Sequence, residues 1–170
     1  TFSLVGLSMG GIVAFEIMRL QGARVNKLAL IDTNPYTDQE ANKKIREQQI
    51  AQSQGQPDEW VKDLILQNAY PRYVADHNQD NAQLKKIVGN MALEAGVSTL
   101  ENQWLALGSR RDATQVLQAI DIDVCVIYGE QDQLCPPSAH TYMADHLKHC
   151  SLHKIVDAGH LSTLEQPEAV

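Results

Sequence analysis

The opening stretch Thr1–Gly11, with the sequence TFSLVGLSMGG, constrains the fold of this chain more than any other segment. Residues 2–5 predict a short apolar strand, and the apolar residues from about Gly11 to Gln21 predict a helix. Between them, Gly-x-Ser-x-Gly at residues 6–10 is typical of a nucleophile elbow, a sharp turn that lifts a serine above the edge of a sheet. Glycines two residues to either side of Ser8 let neighbouring backbone approach where a β-carbon would clash.

Further strands are predicted at Val25–Ile31, Ile122–Tyr128 and Ser151–Val156, with a helix before the last one. The strand at 122–128 is almost continuously apolar, as expected for a strand that is buried on both faces of a sheet. Strands that alternate with helices require a parallel sheet with right-handed crossovers. The sequence therefore predicts an α/β fold.

The strands stop between Thr37 and about Ala119, where amphipathic helices follow one another. We expect residues 35–119 to form a helical cap or lid, inserted into a core made by residues 1–34 and 120–170. A helical subdomain that never contacts a substrate fits the same pattern.

Local signals give the expected limits of these helices. Thr37–Glu40 and Ser98–Glu101 match the capping box that opens a helix. Gln83–Ala95 carries an apolar stripe on one face and should end at Gly96. Pro71 should end the preceding helix, and the tryptophans in these stripes, at positions 60 and 104, are interpreted as core residues.

The composition bounds the classes of partner. The chain has 170 residues, 44% of them hydrophobic and 21% charged, which is typical of a globular domain with its own core. Its net charge of −7 argues against a nucleic-acid partner, because no basic face is available for phosphates. No apolar run reaches the length that spans a membrane, so no membrane partner is expected.

The three cysteines are an odd number without C-x-x-C spacing, at positions 125, 135 and 150. This favours a reducing compartment, and we expect a cytoplasmic protein. Cys135 has no base near it in sequence and is interpreted as structural.

Ser8, Asp132 and His160 each follow a predicted strand by a few residues. Side chains just past the carboxyl ends of parallel strands gather at one edge of the sheet, so the three are expected to meet there. The order Ser, Asp, His is also the one expected when the serine lies on an elbow. His160 would act as the base, Asp132 would fix its tautomer, and the Met9 backbone N–H would bind the oxyanion. This chemistry requires neither a metal nor an organic cofactor.

Two other groups of residues are open to a functional interpretation. Asp32 also follows a strand and remains an alternative acid for the triad. The residues H-x-x-H-C-x-x-H at 146–153 invite a metal site, but they span a helix end and a strand start, so a solvated surface is favoured.

Gly6-Leu-Ser8-Met-Gly10-Gly11, Gly129-Glu-Gln-Asp132 and Gly159-His160 through Glu165-Gln-Pro167 resemble the α/β-hydrolase superfamily. More narrowly, they are similar to its small esterase, enol-lactonase and C–C-hydrolase branch, in which a helical cap interrupts the core. The resemblance implies that Ser8, Asp132 and His160 are the catalytic triad, and that the cap corresponds to the helical block.

The resemblance also implies about four strands before the elbow, including the loop that donates the second oxyanion N–H. Because this chain has none of them, we expect it to be a fragment with at most weak activity on its own. Residues 2–5 would then form an exposed apolar edge, which favours self-association.

Two hypotheses follow. The first is a serine hydrolase that acts on a small ester, thioester or lactone through an acyl-enzyme, with Leu134 and Leu161 lining an apolar acyl pocket. The second is a non-catalytic or incomplete hydrolase-fold module that acts by association.

Overall fold

The computed structural model describes all 170 residues and contains one sheet of four parallel strands in the order β1-β2-β3-β4. The strands are β1 (Phe2–Leu7), β2 (Val25–Ile31), β3 (Asp123–Gly129) and β4 (Cys150–Ile155). All three neighbouring pairs are parallel, with Gly6 opposite Leu30 and Leu30 opposite Val126. The predicted α/β fold with a parallel sheet is therefore confirmed.

Alternate residues of the central strands enter two apolar clusters, one on each face of the sheet. Leu28, Leu30, Val124 and Val126 belong to one cluster, together with residues of α1 (Met9–Gln21), α6 (Thr114–Ala119) and α7 (Pro137–His146). The other cluster contains Ile31, Ile127, Ile155 and Ala158. Burial on both faces explains why β3 is so continuously apolar.

Strands β1 and β4 form the two edges of this sheet. Val5 on β1 is 65% exposed and Phe2 is 39% exposed, so apolar side chains do lie on that edge. Association through the edge stays a prediction.

The chain divides into two compact units. The first comprises residues 1–36, 72–76 and 112–170, and the second comprises residues 37–71 and 77–111. Within the first unit, the Ala113 N–H donates to the Pro35 carbonyl at 2.7 Å, which ties the end of the β2 loop to the start of the segment that leads into α6. None of the helices in the structure combines the length and apolar character that crossing a membrane requires.

The second unit is helical and has its own core. Its elements are α2 (Glu40–Ser53), α3 (Asp58–Leu64), the start of α4 (Tyr70–Tyr73) and α5 (Ala82–Gly108). Val61, Ala92, Leu100 and Trp104 form the buried cluster, and Trp60 packs against it. The interpretation of both tryptophans as core residues is confirmed.

The prediction of a capping box at Thr37–Glu40 is wrong. Helix α2 begins at Glu40 with Gln39 at its N-cap, and no side chain caps it. The Thr37 hydroxyl instead donates to the Arg110 carbonyl at 3.0 Å, a contact across 73 residues that the local pattern could not show.

The predicted end of a helix at Gly96 is confirmed, because α5 consists of two helical halves that meet at a kink at that residue, where φ is +70° and the backbone is not helical. The prediction of a capping box at Ser98–Glu101 is also wrong, because the carboxylate of Glu101 accepts hydrogen bonds from the side chains of Ser53 and Gln54. The N–H of Val97 just after the kink donates instead to Asp58 Oδ1 at 2.9 Å, so the cap comes from α3.

The helix expected to end at Pro71 continues through α4 to Tyr73. A π-helical turn at Ile65–Ala69 directly precedes α4 and joins it to α3. Proline lacks the N–H of a regular helical ladder, and the π turn has already shifted that ladder before Pro71 is reached.

Candidate active site

Ser8 lies at the junction of β1 and α1 with φ 51° and ψ −115°, a backbone conformation that residues other than glycine rarely adopt. Contacts on both sides hold it there. Its N–H donates to the Ile31 carbonyl at 2.8 Å, and its carbonyl accepts from the Gly11 N–H at 2.9 Å. The Thr33 hydroxyl donates to the same carbonyl at 2.8 Å. The strained turn predicted for an elbow is therefore present.

The glycines around Ser8 have different reasons to be glycine. A β-carbon on Gly6 would lie 2.4 Å from the Gly10 carbonyl oxygen, and one on Gly11 would lie 2.5 Å from Thr33 Oγ1. A β-carbon on Gly10 would meet no atom within 4 Å. The expected steric requirement is therefore confirmed at Gly6 and is wrong at Gly10, where a side chain has room. Gly11, which the pattern did not single out, has such a requirement instead.

The structure brings Ser8, His160 and Asp132 together. His160 Nε2 lies 2.7 Å from Ser8 Oγ, and His160 Nδ1 lies 2.9 Å from Asp132 Oδ2. The other carboxylate oxygen of Asp132 accepts the N–H groups of Leu134 at 2.8 Å and Cys135 at 2.9 Å. Each member of the series follows a different parallel strand, β1, β3 or β4, which is why residues so far apart in sequence meet.

Asp132 and His160 are nearly inaccessible to solvent, at 3% and 4% exposure. Burial lowers the pKa of His160, but the contacts with the Asp132 carboxylate and with Cys135 outweigh it and raise that pKa above the usual 6.5. The hydrogen bonds assign the proton of the neutral imidazole to Nδ1, which donates to Asp132. His160 Nε2 then accepts from the Ser8 hydroxyl, so this arrangement can move a proton from serine to imidazole.

The other predicted site residues lie next to this series. Met9 is the first residue of α1, and the N–H groups in the first turn of a helix have no intrahelical partner. Leu134 and Leu161 are both half-buried, beside the acid and the base respectively. The N–H of Leu161 donates to the Tyr73 carbonyl at 3.0 Å.

The segment 72–76 also holds the loop that carries the imidazole, a contact that no local sequence pattern indicated. The Glu165 carboxylate accepts the N–H groups of Gly159 and Ala75, each at 2.7 Å. The ring centroid of Tyr73 lies 5.9 Å from that of His160. Glu165 stood in the quoted motif, but its partner Ala75 lies 90 residues away.

Asp32, the alternative acid, does not contact the imidazole. Its carboxylate accepts the N–H of Gly129 at 2.9 Å, and the hydroxyl and N–H of Ser162 at 2.6 and 3.2 Å. Burial raises the pKa of Asp32 and the hydrogen bonds from Ser162 and Gly129 offset part of this rise, so that the pKa is about 6, with a smaller upward contribution from the Asp132 charge. The place beside His160 Nδ1 is occupied by Asp132.

His140 is a further buried group that sequence reasoning missed. Its Nε2 accepts the Thr33 N–H at 3.1 Å, its Nδ1 lies 3.2 Å from the Pro136 carbonyl, and its ring stacks on Tyr128. Burial lowers the pKa of His140 to about 4, so the ring is neutral at physiological pH and can accept from Thr33.

Asp132, Cys135 and His160 bring their ligand atoms within 4.8 Å of one another. A carboxylate, a thiol and an imidazole are donors that suit zinc. The hydrogen bond between Asp132 and His160 already uses one atom of each, however, and the Asn34 amide donates to Cys135 Sγ at 3.2 Å. These contacts leave little of the donor set free for an ion.

The residues of the H-x-x-H-C-x-x-H pattern have other neighbours. His146 Nδ1 lies 2.8 Å from the Tyr142 carbonyl at the end of α7, and His149 lies 3.5 Å from an Asp121 carboxylate oxygen. These contacts agree with a polar surface.

Three comparisons show which known proteins this chain is similar to. A family model described as alpha/beta hydrolase fold matches residues 1–167. The 3-oxoadipate enol-lactonase 1 of Acinetobacter baylyi is 25% identical over 166 residues, which cover 96% of this chain and 58% of that protein. The structure of a thermophilic esterase from Thermogutta terrifontis is 28% identical with a TM-score of 0.89, covering 96% of this chain and 59% of that one.

An enol-lactonase from Burkholderia xenovorans LB400 has a TM-score of 0.81 at 18% identity, covering 98% of this chain and 61% of that one. At that identity the likeness shows the fold alone. The chain thus spans about three fifths of the length of these proteins.

Proposed function

The chain belongs to the α/β-hydrolase family, and on that premise we propose that it is a serine hydrolase for a small ester, thioester or lactone. One observation carries the proposal: Ser8, His160 and Asp132 are hydrogen-bonded in series at 2.7 and 2.9 Å, with the serine on a strained turn. Relatives named as an esterase and an enol-lactonase support the choice of substrate class.

In the proposed reaction, His160 Nε2 takes the proton of the Ser8 hydroxyl while the Ser8 oxygen attacks the substrate carbonyl carbon. Asp132 stabilises the imidazolium that forms and keeps Nδ1 protonated. The Met9 N–H, at the positive end of α1, would donate to the oxyanion, a contribution of about 10²–10³ in rate for one such donor.

Collapse of the tetrahedral intermediate breaks the bond to the leaving group, which takes the proton from His160. The leaving group of an ester or thioester then departs, whereas that of a lactone stays attached to the acyl group. Water then attacks the acyl-serine, with His160 again accepting the proton. Collapse of this second intermediate breaks the bond to Ser8 Oγ, which takes that proton back from His160 as the acid product leaves. We propose that Leu134 and Leu161 line the acyl pocket. The step itself calls on no cofactor.

A fluorophosphonate probe tests the proposal, because it labels only a serine that a base has activated. The full-length gene product should be labelled and should hydrolyse members of a panel of small p-nitrophenyl esters, thioesters and lactones. Ser8→Ala should abolish both signals. Ser3→Ala, which changes an exposed serine on the same strand, is the matched control and should retain them. Labelling that survives Ser8→Ala would refute the assignment.

The alternative is a non-catalytic module that acts by association, and the exposed Phe2 and Val5 on edge strand β1 favour it. It predicts no labelling of the full-length gene product, together with a molecular mass of the 170-residue chain in solution that rises with concentration. Val5→Lys should return such an assembly to the monomer, since a charge on an edge strand disfavours strand pairing.

A further inference from the structure

On the premise of the function proposed above, we propose that Asp32 is a positioning residue. Its buried carboxylate joins the turn that carries Asp132 to the loop that carries His160, and so holds the imidazole between Ser8 and Asp132.

The contacts of Asp32 reach both catalytic loops. Oδ1 accepts the N–H of Gly129, which is the last residue of β3 and opens the turn to Asp132. Within that turn, the Asp132 N–H donates to the Gly129 carbonyl at 3.1 Å. Oδ2 accepts both the hydroxyl and the N–H of Ser162, two residues after His160. One carboxylate therefore holds the base of the acid turn and the exit of the histidine loop.

The two loops meet backbone to backbone beside this carboxylate. A β-carbon on Gly129 would lie 2.0 Å from the Gly159 carbonyl oxygen, so no side chain fits between β3 and the residue before His160. The relative position of acid and base thus depends on a junction without side chains of its own. Asp32 supplies polar contacts on both sides of it.

The Asp32 carboxylate occupies a buried position, and placing an ionised group in such a position costs free energy. It is fully buried, and no ion pair in the structure includes it. Burial of a carboxylate without a cation costs free energy that hydrogen bonds offset only in part, and the pKa of about 6 is consistent with this cost. A requirement for two acceptor oxygens at this point explains why a carboxylate is found here.

The residue that follows Asp32 acts on the third member of the series. Thr33 donates its hydroxyl to the Ser8 carbonyl and its N–H to His140. The end of β2 therefore contacts the elbow through Thr33 and the two other loops through Asp32. Neither side chain is hydrogen-bonded to the Ser8 hydroxyl or to the His160 imidazole, so both act through other residues.

Both oxygens of the Asp32 carboxylate accept hydrogen bonds, and this decides what a substitution does. In Asp32→Asn, one carbonyl oxygen can still accept from Gly129, but the amide NH₂ then faces the N–H of Ser162, a donor against a donor. The Ser162 hydroxyl can rotate to accept, whereas its backbone N–H cannot. That end of the His160 loop is released, and a displacement of about 1 Å in a catalytic group costs about 10²-fold in rate.

The experiment compares Asp32→Asn with wild type, with Asp132→Asn, and with the control Asp121→Asn, which changes an exposed carboxylate. Rates on a p-nitrophenyl ester are divided by the number of sites titrated with the fluorophosphonate, so that unfolded protein does not contribute. We expect Asp32→Asn to lower kcat about 10- to 100-fold with KM within about twofold, and Asp132→Asn to lower kcat much further. Asp121→Asn should match wild type.

A second measurement does not depend on turnover. The proton between His160 Nδ1 and Asp132 Oδ2 should give a low-field ¹H NMR signal, which Asp32→Asn should shift or broaden and Asp121→Asn should not. Wild-type kcat per titrated site together with an unchanged low-field signal in Asp32→Asn would overturn the positioning role. A loss of kcat equal to that of Asp132→Asn would overturn it too, by making Asp32 a direct participant. A wild type that is neither labelled nor active refutes the proposed function, and the NMR comparison then decides on Asp32 alone.

Discussion

Gly6 approaches Gly10 so closely that the first residue of the Gly-x-Ser-x-Gly motif cannot carry a side chain, while the last residue can. The separation from a β-carbon on Gly6 to the Gly10 carbonyl oxygen would be 2.4 Å, and that oxygen belongs to backbone that cannot rotate away. The two motif glycines therefore have separable roles.

We predict that Gly6→Ala destabilises the 170-residue chain by about 1–3 kcal/mol or more, because the elbow backbone must shift to admit the methyl group. Gly10→Ala, in the first turn of α1, should be neutral or stabilising by up to about 1 kcal/mol. Urea unfolding followed by circular dichroism measures both. Equal unfolding midpoints for Gly6→Ala and wild type would contradict the steric reading.

Asp132→Asn tests the acid. We expect kcat to fall by about 10³–10⁴ with KM little changed, because the amide can donate to Nδ1 and stabilise the wrong tautomer of His160. Steady-state kinetics on the same ester substrate provide the measurement. A tenfold loss or less would mean that another group orients the imidazole.

The pH profile should report the raised pKa of His160. Only the neutral imidazole can accept the serine proton, so kcat/KM should fall as the pH drops, with a midpoint above 6.5. Asp132→Asn should move this midpoint to lower pH, because burial then acts without the carboxylate. A wild-type midpoint below 6.5 would show that burial dominates instead.

His160 and Asp32 make contributions of opposite sign to the free energy of unfolding, and both contributions depend on pH. The raised pKa of His160 stabilises the fold below pH 6.5, and this contribution is lost as the pH rises through the folded-state value. For Asp32 a raised pKa means that the ionised form destabilises the fold above about pH 6, and that the cost is relieved as the pH falls toward 4. We predict that wild type gains about 2–3 kcal/mol relative to Asp32→Asn between pH 7 and pH 4, measured by urea unfolding. A difference that does not change with pH would contradict it.

The kink in α5 gives a prediction for the helical unit. Gly96→Ala should destabilise it by about 1–3 kcal/mol, because φ is +70° and the new β-carbon would lie 2.7 Å from Asp58 Oδ1. Asp58→Ala should cost about 1 kcal/mol through loss of the cap on Val97, whereas Asp58→Asn keeps an acceptor and serves as control. In the double variant the losses should not add, since the clash disappears. Thermal unfolding of wild type, the two single variants, the double variant and the Asp58→Asn control measures these terms, and additive losses would argue against the contact.

The sequence was informative where a local pattern and a tertiary role coincide. The run at β3 is apolar because both its faces are covered, and Ser8, Asp132 and His160 follow strands whose parallel order brings their ends together. Short-range spacing thus sufficed to predict the sheet and to select the three residues that meet.

It failed where a long-range partner competes for a local group. Thr37 looked like a helix cap, but its hydroxyl is bound by Arg110, and the real cap of the second half of α5 is Asp58 on another helix. Asp32 was recognised as a carboxylate after a strand, yet its partners Gly129 and Ser162 lie 97 and 130 residues away. No periodicity records which of several nearby loops a side chain will reach.

The hydrogen bond between Pro35 and Ala113 joins the two ends of the intervening segment within the sheet-bearing unit, and the chain returns to that unit once more at residues 72–76. We therefore expect that residues 37–71 and 77–111 can be exchanged for helices of other lengths without a change in the β2–β3 register. Residues 72–76 are the exception, because their backbone is bonded to Leu161 and Glu165. A variant in which the insertion is replaced must keep residues 72–76, because otherwise the loop that carries the His160 imidazole loses the hydrogen bonds that this segment makes to Leu161 and Glu165.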